Sequence, residues 1–411
     1  MKTRIAVWAV VALVAATVTV AGATARTTTP AKTPGVTKRS VTIGATFPFS
    51  GIASAYGVIA KAEAGYYKWV NAHGGVNGRK INFITKDDGY NPAQTVPLTK
   101  ELVEQNHVFA VVGQLGTEPV LSVRNYLNQH KVPQVLVSTG ASYWGNQYKK
   151  YPWTIGWQPN YVAEGALYGQ YIKTKQNSAK IAILYQNDDY GADYVRGLVK
   201  GLGGTKQITA KQGYSITESS IASEMARLKA SGANTLFVAA TPSFAVQSVV
   251  IAYKLNWHPR IYMNNVSATN DLMNAAARAS SSAAVNGIIS TAYTQIPDDP
   301  AYAKTPGMKL YRKIMAAENV GTRLTDAFNV YGMGQGWAFV DALKRAGKNP
   351  TRASLMRALL HTNTKKNPFL LPGMVTKTTP TDHFPLDQAR LDRFTDGHFV
   401  PFGKLLTYKR Y

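Results

Sequence analysis

The sequence predicts an α/β protein of two Rossmann-like lobes, each with a central, mostly parallel sheet, facing one another across a cleft. Three observations predict it. From residue 41 onward short apolar runs alternate with amphipathic helical patterns, which is how βαβ units with right-handed crossovers read. The alternation stops in an aromatic, loop-like stretch at 143–159 and then starts again. The segments just after the strands are short and polar, and open α/β sheets bind ligands beyond the carboxyl ends of their strands.

The elements follow in order. An apolar strand at 41–47 breaks at Pro48 and Ser50-Gly51 and enters a helix over 54–73, with Ala60, Ala64, Tyr67 and Val70 on one side and Gly74-Gly75 as the stop. Residues 80–85 alternate as a strand. Asp87-Asp88-Gly89 turns the chain, and Asn91-Pro92 starts a helix to about 106, with asparagine as N-cap and proline at the first position. A buried strand at 108–112 ends in Gly113-Gln114-Leu115-Gly116-Thr117. Its helix carries Val120, Val123 and Leu127. The strand at 132–137 ends in Ser138-Thr139-Gly140-Ala141-Ser142.

In the second half a helix at 162–174 leads to strands at 180–185, 233–239, 260–263 and 286–291. Three of these end in Gln186 to Gly191, in Ala240-Thr241-Pro242-Ser243 and in Asn264-Asn265-Val266-Ser267. Helices return at 301–318, 325–346 and 351–361, and a hairpin at 391–400 turns on Asp396-Gly397. Two lobes with polar strand ends facing one another form a cleft, and Phe49 to Tyr56 is one expected wall.

Composition limits what the cleft does. The 411 residues suffice for two cores. The absence of cysteine excludes disulfides, thiolate catalysis, Fe–S clusters, Cys-ligated zinc and a lipid-modified N-terminal cysteine. The formal charge of +24 is scattered, with only short runs such as Lys149-Lys150 and Lys365-Lys366. No basic helix interleaved with aromatics marks a nucleic-acid partner; a solvated basic surface suits anionic surroundings.

Lys2 and Arg4 precede an apolar run at 5–20 and small residues Ala21-Gly22-Ala23-Thr24-Ala25, so 1–25 reads as an export signal cleaved after Ala25. An uncleaved anchor is the competing reading, and either way the bulk of the chain leaves the cytoplasm, for the periplasm or the extracellular cell-surface space. Losing Lys2 and Arg4 lowers the charge from +24 to +22. Residues 26–40, rich in Thr, Pro and Lys, read as a disordered leader.

No G-x-S-x-G, H-E-x-x-H or phosphate-binding glycine loop is present. The seven histidines lack the i+3 or i+4 spacing of a metal-binding helix. Gly332, Gly334 and Gly336 lie inside an apolar helical pattern, where close helix packing explains them. Asp87-Asp88 and Asp188-Asp189 sit at turns and helix starts, where they cap. The expected site has no catalytic residue, metal or cofactor. Hydroxyls, amides, helix-start N–H groups and aromatics hold a ligand without reacting with it.

The motifs together resemble the periplasmic-binding-protein family for branched-chain amino acids. The carriers are Ile43 to Gly51 with Tyr56-Gly57, His73-Gly-Gly-Val-Asn-Gly78, Asp87-Asp88 with Asn91-Pro92, Val112 to Thr117, Asp189-Tyr190-Gly191 and the Asp396-Gly397 hairpin, in order across about 40–405. The resemblance implies a type I periplasmic-binding-protein fold: lobe one at 41–156 plus 292–365, lobe two at 157–291 plus 366–411, joined by three hinge crossings. It implies a monomer that closes on a small-molecule ligand and delivers it to the membrane permease subunits of an ABC importer; a ligand-sensing receptor subunit is the alternative.

By position, the resemblance places Thr117 and Ser142 on the ligand's carboxylate and the Ala141 carbonyl on an ammonium group. Tyr56, Tyr190 and Phe328 become aromatic walls. Phe49, Ser50, Gln114, Leu115, Gly116, Thr139, Gly140, Thr241 and Asn265 fall in the same strand-end loops. Val266 stands where an acid pairing an α-ammonium is expected, and Thr241 where an aromatic precedes Pro242. Burying an ammonium without a carboxylate costs several kcal/mol, so the expected ligand is a small amino-acid-like molecule or carboxylate, and Val266 favours a carboxylate, aromatic ones included, or a neutral amide over an ordinary α-amino acid.

Overall fold

The computed structural model describes residues 33–407. The export signal therefore lies outside the described residues. Residues 33–39, expected within the disordered leader, fold back on the first strand. The Thr42 N–H donates to the Gly35 carbonyl at 2.7 Å, and Arg79 Nε to the Thr37 carbonyl at 2.7 Å.

The first half builds a parallel five-stranded sheet. Its elements are β1 (Ser40–Phe47), α1 (Gly57–Ala72), β2 (Lys80–Asp87), α2 (Pro92–Glu104), β3 (Val111–Val112), α3 (Thr117–Gln129), β4 (Gln134–Val137), α4 (Tyr143–Asn146) and β5 (Thr154–Gly156). The strand order β2-β1-β3-β4-β5 puts β1 inside. Val41, Ile43, Ala45 and Phe47 are accordingly buried. Two expectations change here. The strand expected at 108–112 pairs only through Val111 and Val112, and the loop-like 143–159 contains α4 and β5.

The second sheet collects α5 (Tyr161–Lys175), β6 (Ile181–Gln186), α6 (Asp189–Leu202), β7 (Ile208–Tyr214), α7 (Ala222–Ala230), β8 (Thr235–Ala239), α8 (Pro242–Lys254), β9 (Arg260–Met263), α9 (Asn270–Ala279), α10 (Ser282–Val285) and β10 (Ile289–Ala292). Three helices follow: α11 (Pro306–Glu318), α12 (Ala327–Arg345) and α13 (Arg352–Leu360). The two-residue pair β11 (Asn363–Thr364) and β12 (Thr376–Lys377) forms a small separate ladder. Then come β13 (Gln388–Thr395), β14 (His398–Pro401) and β15 (Leu406–Thr407). The order β14-β13-β10-β9-β8-β6-β7 is parallel from β10 to β7, and β13 continues it antiparallel, paired on its far side with β14 and β15. The hairpin turns where expected, with both Asp396 (φ 50°) and Gly397 (φ 89°) at positive φ.

Between the sheets the chain crosses three times: from β5 to α5, from β10 to α11, and from α13 to β13. Helix α12 runs back along α1 from the first half. A side chain on Gly332 would place its Cβ 2.3 Å from the Ile59 carbonyl oxygen, which confirms close packing at that glycine.

The tightest helix pair is α5 with α6. Gly165 and Gly169 face Gly197 and Gly201. A Cβ at any of the four would fall 2.1–2.6 Å from a backbone oxygen of the opposite helix. This contact fixes α6, and α6 carries part of the site.

Candidate ligand-binding site

The carboxyl ends of β1, β3, β6, β8, β9 and β10 converge on a cavity of about 850 Å³, its solvent-open space included. On the first-sheet side, Thr117 opens α3. It follows Gly116, whose φ of 99° disfavours any other residue and turns the chain into the helix. The Thr117 hydroxyl lies 2.7 Å from that of Thr139. In the first turn of α3 only Thr117 and Glu118 present N–H groups without an intrahelical acceptor, because Pro119 has no N–H and Val120 donates to the Gly116 carbonyl at 3.0 Å; the helix dipole adds positive potential there. Leu115 and Gly116 line the cavity beside them.

On the second-sheet side, Asp188 caps α6 by accepting from the Gly191 N–H at 3.2 Å. This sets Tyr190 into the cavity. Asn264 ties the ends of β8 and β9 together: its Nδ2 donates to the Tyr190 hydroxyl at 2.7 Å, and its Oδ1 accepts from the Ala240 N–H at 3.1 Å. The Thr241 N–H donates to the Tyr214 hydroxyl at 3.0 Å. Asn265 donates its N–H to Glu164 Oε1 at 2.8 Å and its side-chain amide to the Thr291 carbonyl. Val266 lines the wall next to it. Tyr56 meets Phe328 edge-on with centroids 5.3 Å apart.

The cavity therefore gathers Tyr56, Leu115, Gly116, Thr117, Tyr190, Thr241, Asn265, Val266 and Phe328 from the expected set. It does not gather the rest. Phe49 and Ser50 donate their N–H groups to Asp87 Oδ1 at 2.9 and 3.3 Å, which holds that loop outside the cavity lining. Gln114 turns into the core, donating to Thr46 and Thr99 at 3.0 Å each. Thr139 stands one hydrogen bond behind Thr117. Gly140 packs the first crossing, its carbonyl accepting from the Tyr161 N–H at 2.8 Å. The Ala141 carbonyl, just ahead of α4, accepts from the Trp144 N–H at 3.2 Å. Ser142 gives its N–H to Asp193 Oδ2 at 2.5 Å and its hydroxyl to Asp193 Oδ1 at 3.2 Å.

Sequence reasoning missed most of the aromatic lining: Tyr90, Tyr161, Tyr293, Tyr331 and Phe399. The Tyr331 hydroxyl donates to Gln158 Oε1 at 2.8 Å, and Gln158 Nε2 donates to the Tyr161 hydroxyl at 3.0 Å. Burial pushes the Tyr56, Tyr90, Tyr190 and Tyr331 phenols well above their ordinary range, so they stay neutral donors. Among the described residues no lysine or arginine lines the cavity, and the one lining carboxylate, Asp392, is held bidentately by Arg390 at 2.8 and 2.9 Å. Behind the wall, Glu164 accepts from Tyr194 at 2.7 Å and Tyr168 at 2.9 Å; burial raises its carboxyl above the usual range. Among the described residues no cluster of His, Asp and Glu fits a metal ion.

The sequence profile of the periplasmic binding protein family matches residues 40–397. The chain belongs to the periplasmic binding protein family. An amino acid binding protein of Pseudomonas aeruginosa is 25% identical over 171 residues, 41% of this chain and 45% of that protein. The Leu/Ile/Val-binding protein homolog 1 of Brucella abortus is 28% identical over 206 residues, 48% of this chain and 53% of that one. The chain thus spans about half the length of the curated relatives it matches.

Two solved structures of similar fold cover nearly the whole chain. A fatty acid ABC transporter substrate-binding protein from Thermomonospora curvata superposes with a TM-score of 0.77 at 20% identity, covering 92% of this chain and 95% of that one. A branched chain amino acid ABC transporter from Thermus thermophilus with bound valine gives 0.78 at 19% identity, covering 91% and 98%. These likenesses fix the fold of this periplasmic binding protein as type I.

Proposed function

We propose that this chain is the exported solute-binding component of an ABC importer. It closes two lobes, 41–156 plus 292–365 and 157–291 plus 366–411, on a small ligand and hands the ligand to the permease without chemistry. The ligand is small and largely apolar, aromatic or branched aliphatic, with a carboxylate or neutral amide at the end facing Thr117. The observation that carries this reading is an aromatic-walled cavity at the strand ends with a helix N-terminus on one wall and, among the described residues that line it, no unpaired charged side chain. Aromatic faces and apolar walls supply affinity, and a helix start accepts an anionic or carbonyl oxygen. The relatives named for amino acids and the structure named for a fatty acid support a ligand that joins a carboxylate to an apolar body.

A thermal-shift screen tests it. Ligands that bind only the folded state raise its melting temperature. Aromatic and aliphatic carboxylates are expected to raise it, and their α-amino counterparts to do so less, because Val266 offers the ammonium no charge. Strong stabilisation by leucine or valine with none from carboxylates would overturn the ligand assignment. For the best ligand of the screen, Thr117→Ala is expected to weaken binding about tenfold, the worth of one hydrogen bond to a charged group, as measured by calorimetry. Unchanged affinity would remove Thr117 from the polar end of the site.

A further inference from the structure

Ser142 ends the loop after β4, in the first sheet, and opens α4. Asp193 lies on the second turn of α6, which follows β6 in the second sheet. The Asp193 carboxylate spans the seam between them. It takes the Ser142 N–H on Oδ2 and the Ser142 hydroxyl on Oδ1, while Arg196 Nη2 reaches both Asp193 Oδ1 and, at 3.0 Å, Ser142 Oγ. Asp193 is 3% exposed and Ser142 9%, yet Asp193 does not line the cavity.

A second strap crosses the cleft elsewhere. Asp271 on α9 meets Arg323, in the loop before α12, at 3.0 Å, and Thr325 at 3.3 and 3.4 Å. That Arg323 side chain is 66% exposed. Solvent screens such a pair to little net effect, whereas a buried carboxylate accepting an N–H and an O–H cannot be released without leaving those groups to be resolvated.

We propose that Asp193 is the closure residue of this protein: a positioning side chain that holds the two lobes together through Ser142 without touching the ligand. This rests on the two-lobe reading above. The consequence for binding is arithmetic. A ligand that fits only the closed form binds with an apparent affinity scaled by the closed fraction, so a bond made only on closing sets affinity from outside the cavity. A further consequence is that Ser142 is committed to the protein's own carboxylate rather than to a ligand's.

The test needs no ligand, so its failure is separable from a failure of the ligand assignment. The chain has no cysteine. Lys61→Cys on α1 and Lys254→Cys on α8, both at exposed positions, therefore take a pair of distance labels cleanly. In the labelled, ligand-free protein, Asp193→Ala is expected to raise the ratio of long to short distances about tenfold, the loss of a charge-assisted hydrogen-bonded pair. Asp193→Asn, which keeps an acceptor for the Ser142 N–H, is expected to shift it less. Ser142→Ala, which loses only the hydroxyl, should move it in the same direction and by less than Asp193→Ala. Arg323→Ala is expected to leave it nearly unchanged. A distance distribution indifferent to Asp193→Ala and Ser142→Ala overturns the proposal, as does a larger shift from Arg323→Ala. If Asp193→Ala does not fold, the Asp193→Asn and Ser142→Ala pair decides between the same outcomes.

Discussion

Gly201→Ala is expected to destabilise the protein by about 3 kcal/mol, although alanine is the better helix former by about 1 kcal/mol. The added Cβ would lie 2.1 Å from the Ala166 carbonyl oxygen and 2.8 Å from the Gln170 N, both backbone atoms of α5 that cannot rotate away. Relief requires α6 to move off α5 along its length, because Gly165, Gly169 and Gly197 make the same approach. That movement carries Tyr190 and Asp193 with it, so ligand affinity should fall alongside stability.

Gly332→Ala, facing the Ile59 carbonyl oxygen at 2.3 Å, is expected to behave alike. Gly334→Ala in the same helix is the contrast. Its Cβ would meet nothing nearer than 3.4 Å, so propensity decides and the variant should be neutral or stabilised by up to about 1 kcal/mol. Chemical denaturation of the three variants checks the order. If all three shift together, helix propensity rather than contact across the helix pairs governs these positions.

The glycines also show what a sequence makes legible. Gly332 falls in a helical apolar pattern, so close packing is readable without knowing the partner; that the partner is Ile59 needs the fold. The strand-end rule marked the loops that hold Thr117, Tyr190, Thr241 and Asn265, because a loop leaving a parallel strand must face the cleft, and the family resemblance picked residues within them. Applied to the strand ending at Ala292, the same rule would have found Tyr293 and Thr294, which also line the cavity. Residues taken from these loops by position include Gln114 and Ser142, which do not line the cavity. Along such a loop the side chains alternate between cavity and core, and which one turns inward depends on partners such as Thr46 or Asp193 that lie far away in sequence. Tyr161 and Tyr331 arrive from a crossing and from the returning helix α12, and nothing in their local pattern separates them from core residues.

Glu63→Gln should stabilise the protein at neutral pH by on the order of 3 kcal/mol and abolish a pH dependence that the wild type shows. Glu63 is fully buried on α1. Its Oε1 accepts the Tyr67 hydroxyl at 2.5 Å, but its Oε2 is buried without a hydrogen-bond partner, and so is Gln335 Oε1 on α12. Both oxygens crowd one spot, 2.6 and 3.2 Å from where a Gly113 side chain would begin.

The Gln335 amide cannot turn round. Its Nε2 donates to the Leu136 carbonyl at 2.6 Å and to Ser138 at 2.9 Å, and Leu136, at φ 53° in an irregular stretch of β4, presents that carbonyl to it. A proton on Glu63 Oε2 turns one of these two unpartnered acceptors into a donor. Burial accordingly pushes the Glu63 carboxyl from 4.5 up to about 8.

Between those values the folded protein keeps a proton that the unfolded chain has released. Stability therefore falls as pH rises, by about 1.4 kcal/mol per unit at most, and levels off above the folded value. Glutamine supplies the same donor and acceptor with no proton to hold. The two proteins should melt together near pH 4.5 and diverge up to pH 8, with the variant the more stable. Parallel melting curves across that range would place a charged, not a protonated, Glu63 in the core. Ser138, at the far end of this network, lines the cavity, so an unaltered ligand affinity in Glu63→Gln would show that its geometry is kept.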